Sequence, residues 1–287
     1  MSARAVVSGE RLAFHDLFRF EPPPPKPRSE GLNMCLDDGM GIAATRDLFE
    51  VVGEYVDSIR LGRGTAALFP RSWVLEKAAL CREFDVDMMT GGPLYEVAVA
   101  RDAVREFLEE SRDLGFTSIE FSENIISIPV EETLSHVKVA TDLGLDVYFE
   151  YGRKYPGTSP LDVDEAEDRI GTLLEAGVTR ITVERAEVDL VVHDHPHVLV
   201  ELAERVGLGN LIFEAGPRKI EYCELLMSLL GPAKVNLGNI ALQPPNALDG
   251  ILILVNARRG LDRSVDYQFV RDVWGGPVND GDPAAHG

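Results

Sequence analysis

From residue 31 onward, short apolar runs of β-forming type alternate with longer segments whose apolar residues recur every three or four positions. The short runs predict strands at Gly31–Leu36, Ser58–Leu61, Asp85–Met89, Ser118–Phe121, Asp146–Glu150, Arg180–Glu184, Leu211–Glu214 and Lys234–Leu237. The longer segments predict helices at Thr45–Val56, Arg71–Phe84, Ala100–Leu114, Val130–Leu143, Val163–Ala176, His197–Val206, Ile220–Leu230 and Ala247–Arg259. Gly115, Gly144 and Gly177 each close a helical segment just before a strand. The near-repeats Asp113-Leu114-Gly115-Phe116, Asp142-Leu143-Gly144-Leu145 and Glu175-Ala176-Gly177-Val178 predict one recurring turn, with glycine supplying a positive φ.

A helical crossover joins parallel neighbours, so strand–helix pairs in series imply a parallel sheet. Eight pairs in about 250 residues fit closure into a (β/α)8 barrel. An open doubly wound sheet is the competing arrangement. It would carry a phosphate-binding GxGxxG after its first strand, and Asp37-Asp38-Gly39-Met40-Gly41 lacks that spacing. The expected architecture is therefore α/β, a single TIM-type barrel over residues 31–275. A Pro-rich extension over residues 1–30 precedes it, and a tail rich in Gly, Pro and Asp, flexible over 276–287, follows. Pro22 to Pro25 and Pro27 favour extended chain, while Leu12–Phe20 has a helix-compatible pattern suited to packing on the barrel.

Charge narrows the function. The chain of 287 residues carries a net charge of −20, which disfavours a nucleic-acid surface, since phosphate binding needs a concentrated positive field. It makes local clusters of cations informative. No apolar run approaches the roughly 20 residues of a membrane span, and no basic-then-apolar leader opens the chain, so a cytoplasmic protein is expected. Cys35, Cys81 and Cys223 lie far apart and are expected to be free, buried thiols.

Acids recur where strands end: Asp37, Glu120, Glu150, Glu184 and Glu214. Acids are poor strand residues, but the carboxyl ends of barrel strands surround the catalytic mouth. Carboxylates converging there repel one another unless a cation or a proton separates them. That environment suits Mg2+ or a general acid of raised pKa; alternatively, the acids pair with Arg60, Arg153, Arg185 and Arg218 and simply pack the barrel top. Cations follow the same strand ends, in Arg60-Leu61-Gly62-Arg63-Gly64-Thr65, Arg153-Lys154 and Arg218-Lys219. Their forks and the glycine-rich turns match a small anionic substrate. Gly91 and Gly92 allow backbone to approach a ligand. Asn236, near the end of the predicted eighth strand, and Asn239, just after it, sit where barrels often hold phosphate. His193, His195 and His197 alternate as metal ligands on a strand would, but Pro196 and the approach of a helix make a solvated loop the better expectation. No GxSxG, Walker A or HExxH motif is present.

These landmarks, taken in order, resemble the phosphosulfolactate synthase family of barrels. The similarity runs through Asp37-Asp38-Gly39, Tyr55 to Thr65, Gly91-Gly92-Pro93-Leu94-Tyr95-Glu96, Ile119 to Ser122, Glu150 to Lys154, Glu184, Ile212 to Ala215 and Val235 to Ile240, covering roughly residues 31 to 262. The resemblance implies Mg2+-assisted addition of sulfite to phosphoenolpyruvate, forming a C–S bond. Sulfite is itself the nucleophile, so no catalytic Ser or Cys is required. Together with the anion-binding theme, the resemblance assigns catalysis to Glu150, Glu184, Glu214 and Arg60. It assigns Mg2+ to Glu120, Glu150, Glu184 and Glu214. Substrate binding falls to Asp37, Arg63, Gly91, Gly92, Ser122, Lys154, Arg218, Asn236 and Asn239. It also implies a homo-oligomer. The departures lie in the loops: the family carries lysine where Arg60 stands and tryptophan where Arg63 stands, Glu123 and the Arg185-Ala186-Glu187 stretch differ, and Gly216 is inserted. A divergent member acting on another anionic enol or nucleophile, and an inactive barrel serving as a binding or stress-associated protein, are the alternatives.

Overall fold

The computed structural model describes residues 25–154, 161–215, 220–231 and 233–241. Its strands are β1 (Asn33–Leu36), β2 (Ser58–Leu61), β3 (Asp87–Thr90), β4 (Ser118–Ser122), β5 (Asp146–Tyr151), β6 (Arg180–Val183), β7 (Leu211–Glu214) and β8 (Leu237–Ala241). They form one closed barrel in sequence order, and every neighbouring pair is parallel. The α/β barrel expected from the pattern is the observed fold. Around it lie α1 (Ile42–Val52), α2 (Arg71–Glu83), α3 (Gly92–Ala100), α4 (Val104–Leu114), α5 (Val130–Asp142), α6 (Val163–Glu175), α7 (Arg185–Val191), α8 (His197–Val206) and α9 (Ile220–Leu230). The segment Leu12–Phe20, the expected helix Ala247–Arg259 and the tail 276–287 lie outside the described residues, as does Arg218. Among the described residues no helix is long and apolar enough to cross a membrane.

The glycine turns behave as their sequence predicts. Gly115, Gly144 and Gly177 have φ of 87°, 77° and 104°, a region closed to most side chains. Two helices depart from expectation. Gly91-Gly92-Pro93 leads into α3, a helix that the apolar periodicity did not mark, with Pro93 in the first turn, where its missing N–H costs no hydrogen bond. The short α7 begins directly after β6, and the Glu184 side chain caps it by accepting from Ala186 N at 3.3 Å. β8 begins three residues later than its apolar run suggested.

Side chains alternate across the barrel wall. Ile119, Phe121, Val147, Phe149, Ile181, Val183, Leu211 and Phe213 face outward and pack with the helices in one cluster. Met34, Met89, Tyr148 and Ile212 form a separate small cluster, the apolar floor inside the barrel. A second outer cluster, including Cys35, Ile59, Leu61 and Met88, covers β1 to β3. Cys35 and Cys81 are buried thiols outside any disulfide, as expected, whereas Cys223, also outside any disulfide, is only half-buried. Burial pushes the Cys35 and Cys81 thiols up to about 12, leaving them unreactive.

The described end of the proline-rich extension is fastened under the barrel. Lys26 Nζ donates to Asp85 O at 3.1 Å, and Arg28 pairs with Asp57 at 3.0 Å. His193, His195 and His197 are exposed: the first two lie in the loop before α8, and His197 is the first residue of that helix.

Phe121 is fully buried and stacks on Tyr95 with ring centroids 3.9 Å apart. Phe121→Ala is expected to lower unfolding free energy by about 3–5 kcal/mol in denaturant titration. Val51→Ser, at an exposed position, should change it by no more than about 0.5 kcal/mol.

Candidate active site

The inward positions near the carboxyl ends of the strands carry charge instead of hydrocarbon. Arg60 on β2 projects into the mouth and is buried. Its Nη1 lies 2.5 Å from Glu120 Oε1 and its Nη2 lies 2.5 Å from Glu214 Oε1. Nη2 also donates to Asn239 Oδ1. Asn239 holds a left-handed φ of 57°, which asparagine tolerates better than most residues. The second oxygen of Glu120 accepts from Gly92 N at 3.0 Å, and that of Glu214 accepts from Arg185 N at 3.3 Å.

Glu150, Glu184 and Glu214 bring one carboxylate oxygen each to within 4.8 Å of one another, all three buried. Glu120 does not join that group; Arg60 and the Gly92 N–H hold it. Burial first, and the neighbouring Glu184 second, push the Glu150 carboxyl up to about 8. Glu150 thereby keeps a proton that it donates to Glu184. Glu184 is itself raised by burial and by Glu214. Glu120 and Glu214 are pushed up to about 7 by burial, against the pull of Arg60. Lys154 adds positive potential at Glu150 and Glu184. Gly92 makes this crowding possible: a Cβ there would meet Ser122 Oγ and approach Glu150 Oε2 to 3.2 Å.

Other expected residues take structural duties. Asp37 points away from the mouth: it accepts from Gly39 N at 2.8 Å and Met40 N at 2.7 Å and pairs with the fully buried Lys77 of α2 at 2.7 Å. Asn236 precedes β8, at the opposite end of the barrel. Its Oδ1 accepts from Leu32 N at 2.9 Å and its Nδ2 donates to Leu211 O at 2.8 Å, so it stitches strands together. The expectation that Asn236 reaches substrate followed from starting β8 too early. Ser122 donates to Glu96 on α3. Gly91 caps α3 and packs against the Gly62 backbone, where a Cβ would sit 3.2 Å from Gly62 Cα. Arg63 is half-buried at a left-handed φ of 54°. Glu123 pairs with Arg169, and Glu187 accepts from Arg153 N at 3.1 Å.

Three residues went unselected by sequence. Glu96 accepts from Asn124 N at 3.2 Å, Ile125 N at 3.0 Å and Ile126 N at 2.9 Å, shaping the loop after β4. Asn124 in turn donates to Glu184 Oε2 at 3.5 Å. Asp38 has no exposed surface and neither carboxylate oxygen has a hydrogen-bond partner. The clue for Glu96 was an acid inside the otherwise apolar Leu94 to Ala100. The clue for Asp38 was alternation: Met34, Leu36 and Asp38 share one face of the strand line, which leaves Asp37 on the other. A cavity of about 790 Å3 beside β5 and α6, lined by Glu123, Arg153, Asp168, Arg169 and Glu187, touches the cluster only at Glu150. The convergent chemistry is in the mouth.

A parallel eight-stranded barrel with buried carboxylates gathered around one guanidinium has the architecture of the (β/α)8 proteins, whose active sites lie at the carboxyl ends of the strands. A family model described as (2R)-phospho-3-sulfolactate synthase (ComA) matches residues 21–261. The chain belongs to this family. It is 37% identical over 256 residues to the phosphosulfolactate synthase of Methanothermobacter thermautotrophicus, covering 85% of this chain and 95% of that one. It is 31% identical to the phosphosulfolactate synthase of Methanocaldococcus jannaschii, over 80% of this chain and 92% of that one. Protein HEAT-STRESS-ASSOCIATED 32 of Arabidopsis thaliana matches at 24% identity over 75% of this chain and 83% of its own length.

Raised carboxyl pKa values make the cluster's contribution pH-dependent in a definite direction. The folded protein holds more protons than the unfolded chain, so this contribution is fully present below about pH 4.5, the ordinary glutamate value, and is lost as pH rises through about 8 at Glu150. In metal-free protein, Glu150→Gln should flatten the fall in unfolding free energy over that range by up to about 1.4 kcal/mol per pH unit, one proton's worth. An unchanged slope in denaturant titrations at several pH values would remove Glu150 from the cluster.

Proposed function

We propose that this mouth adds sulfite to phosphoenolpyruvate, with Mg2+ held by Glu150, Glu184 and Glu214. The observation that carries this reading is the convergence of those three buried carboxylates within 4.8 Å in a chain of the phosphosulfolactate synthase family. The donor set fits the ion: hard carboxylate oxygens suit Mg2+, and three buried acids otherwise need protons to coexist. When bound, Mg2+ would stabilise negative charge developing on the substrate carboxylate.

The chain's own residues account for the remaining steps. The sulfur lone pair of sulfite forms the new bond at the methylene carbon, and the double-bond electrons move toward the carboxylate. Carbon 2 then takes a proton, so no atom is lost. Arg60 fixes Glu120 and Glu214 and keeps positive charge in the mouth. The proton shared by Glu150 and Glu184 must leave when these carboxylates take a cation. Lys154, whose charge is felt at both, then both attracts the anionic substrates and carries the proton for carbon 2. The Cys35 and Cys81 thiols are unreactive, consistent with a nucleophile supplied by the substrate.

The test is an assay of sulfite, phosphoenolpyruvate and Mg2+ with mass-spectrometric identification of the product. Phosphosulfolactate should form and should vanish when a chelator is added. Glu150→Gln and Glu214→Gln should each lower turnover by about 100-fold or more. Folded protein that makes no product would redirect the search to other anionic enols. Full activity in both variants would displace the assigned site.

A further inference from the structure

Asp38 is the least satisfied polar group among the described residues. Its two carboxylate oxygens are buried without a partner, a costly arrangement for a carboxylate unless something completes it. It stands one step beyond β1 on the inward side, with one oxygen 3.8 Å from where a Cβ on Gly62 would sit. The charges acting on it most strongly are Arg63, Asp37 and Arg60, in that order. Asp37 is occupied by Lys77. Arg60 is occupied by Glu120 and Glu214 through its terminal nitrogens, while its Nε has no partner. Arg63 makes no hydrogen bond or ion pair with the described residues, although it is the cation that acts most strongly on Asp38. Arg63 follows Gly62, the residue beside Asp38, and an arginine fork next to a carboxylate commonly closes on it in a bidentate pair. Here the pair stays open, and the left-handed backbone at Arg63 is a conformation that a bulky side chain adopts only when its surroundings hold it there.

The ligand that completes such a pair has a restricted chemistry. A metal cation is repelled by two guanidinium groups and finds only one available carboxylate. A fully ionised anion suits Arg63 and Arg60 but, once pH exceeds the value of about 6 to which burial pushes the Asp38 carboxyl, puts lone pairs against Asp38 with no proton between them. An oxyanion that keeps one proton satisfies both sides. We propose that Asp38 and Arg63 form a subsite that selects a singly protonated oxyanion, with the guanidinium taking ionised oxygens and the carboxylate accepting the hydrogen bond of the protonated one. Arg63, half-buried, is the side on which the subsite opens. The inference deepens the reading above, on which it rests only for placing substrate in this mouth. Both proposed substrates supply the chemistry: a phosphate monoester, whose second ionisation lies near pH 6, and hydrogensulfite.

Calorimetric titration of the full chain with inorganic phosphate and with sulfate, at equal ionic strength and about pH 7, where phosphate supplies its singly protonated form and the Asp38 carboxyl, pushed up to about 6 by burial, is mostly ionised, tests the subsite without any assay of turnover. Sulfate has the same shape but no proton to offer. The intact protein should prefer phosphate by about tenfold or more, the worth of one hydrogen bond to a charged group. Asp38→Asn should bring the two affinities to within about twofold, because an amide can donate to sulfate. Arg63→Gln should weaken both anions alike. Thermal unfolding establishes that each variant is folded, and Asp38→Ser serves in place of the asparagine variant if that one is not. Equal binding of phosphate and sulfate by the intact protein, no binding of phosphate, or a ratio unmoved by the Asp38 variants would overturn the proposal and leave an ordered water as the partner of Asp38. Displacement of bound phosphate by phosphoenolpyruvate, or by sulfite, identifies which substrate supplies the oxyanion. Displacement by neither, with discrimination intact, keeps the subsite and overturns the sulfite-addition reading instead.

Discussion

The mouth of this barrel depends on one guanidinium that has almost no contact with solvent. Arg60 reaches from β2 to acids on β4 and β7, so three strands, no two of them neighbours, share a single counter-charge. Burying an ion is expensive, and a buried pair adds little net stability over a hydrocarbon replacement. What the arrangement secures is geometry: two carboxylates cannot move without breaking short contacts, and a third and fourth are placed against them. Removal of the guanidinium would strand those charges, a loss of about 3–5 kcal/mol by comparison with other broken buried pairs.

The consequence reaches the proton inventory. One fixed cation and a nearby lysine cannot neutralise four buried glutamates, so the cluster retains protons near neutral pH, with Glu150 the strongest holder. A divalent cation would do what those protons do, and would order the three converging oxygens at the same time.

Much of this was legible in the sequence because the barrel repeats its own grammar. Gly115, Gly144 and Gly177 after three successive helices and an acid near the carboxyl end of each strand from β4 to β7 mark the same two positions of successive β/α units, and Glu120, Glu150, Glu184 and Glu214 all reach the mouth. The failures were local. Val235-Asn236 reads as strand, yet the Asn236 amide is spent joining the segments around β1, β7 and β8. Two adjacent aspartates cannot be ranked by type; only the two-residue period of the strand separates Asp37, tied to Lys77, from Asp38. Gly91-Gly92-Pro93 resembles a turn until the proline is counted as the first turn of a helix. Glu96 acts on the mouth through backbone N–H groups of a loop some thirty residues away, and no spacing in the chain announces that.

The outer packing of the barrel is divided. One shell covers β1 to β3 and another covers β4 to β8, with Ile240 packed against both. The glutamates of the mouth all project from the larger shell, while Arg60 comes from the smaller. The two shells therefore meet at the functional centre: Arg60 of the smaller shell supplies the positive charge that Glu120 and Glu214 of the larger shell accept, so the site is also a polar seam between the two halves of the packing.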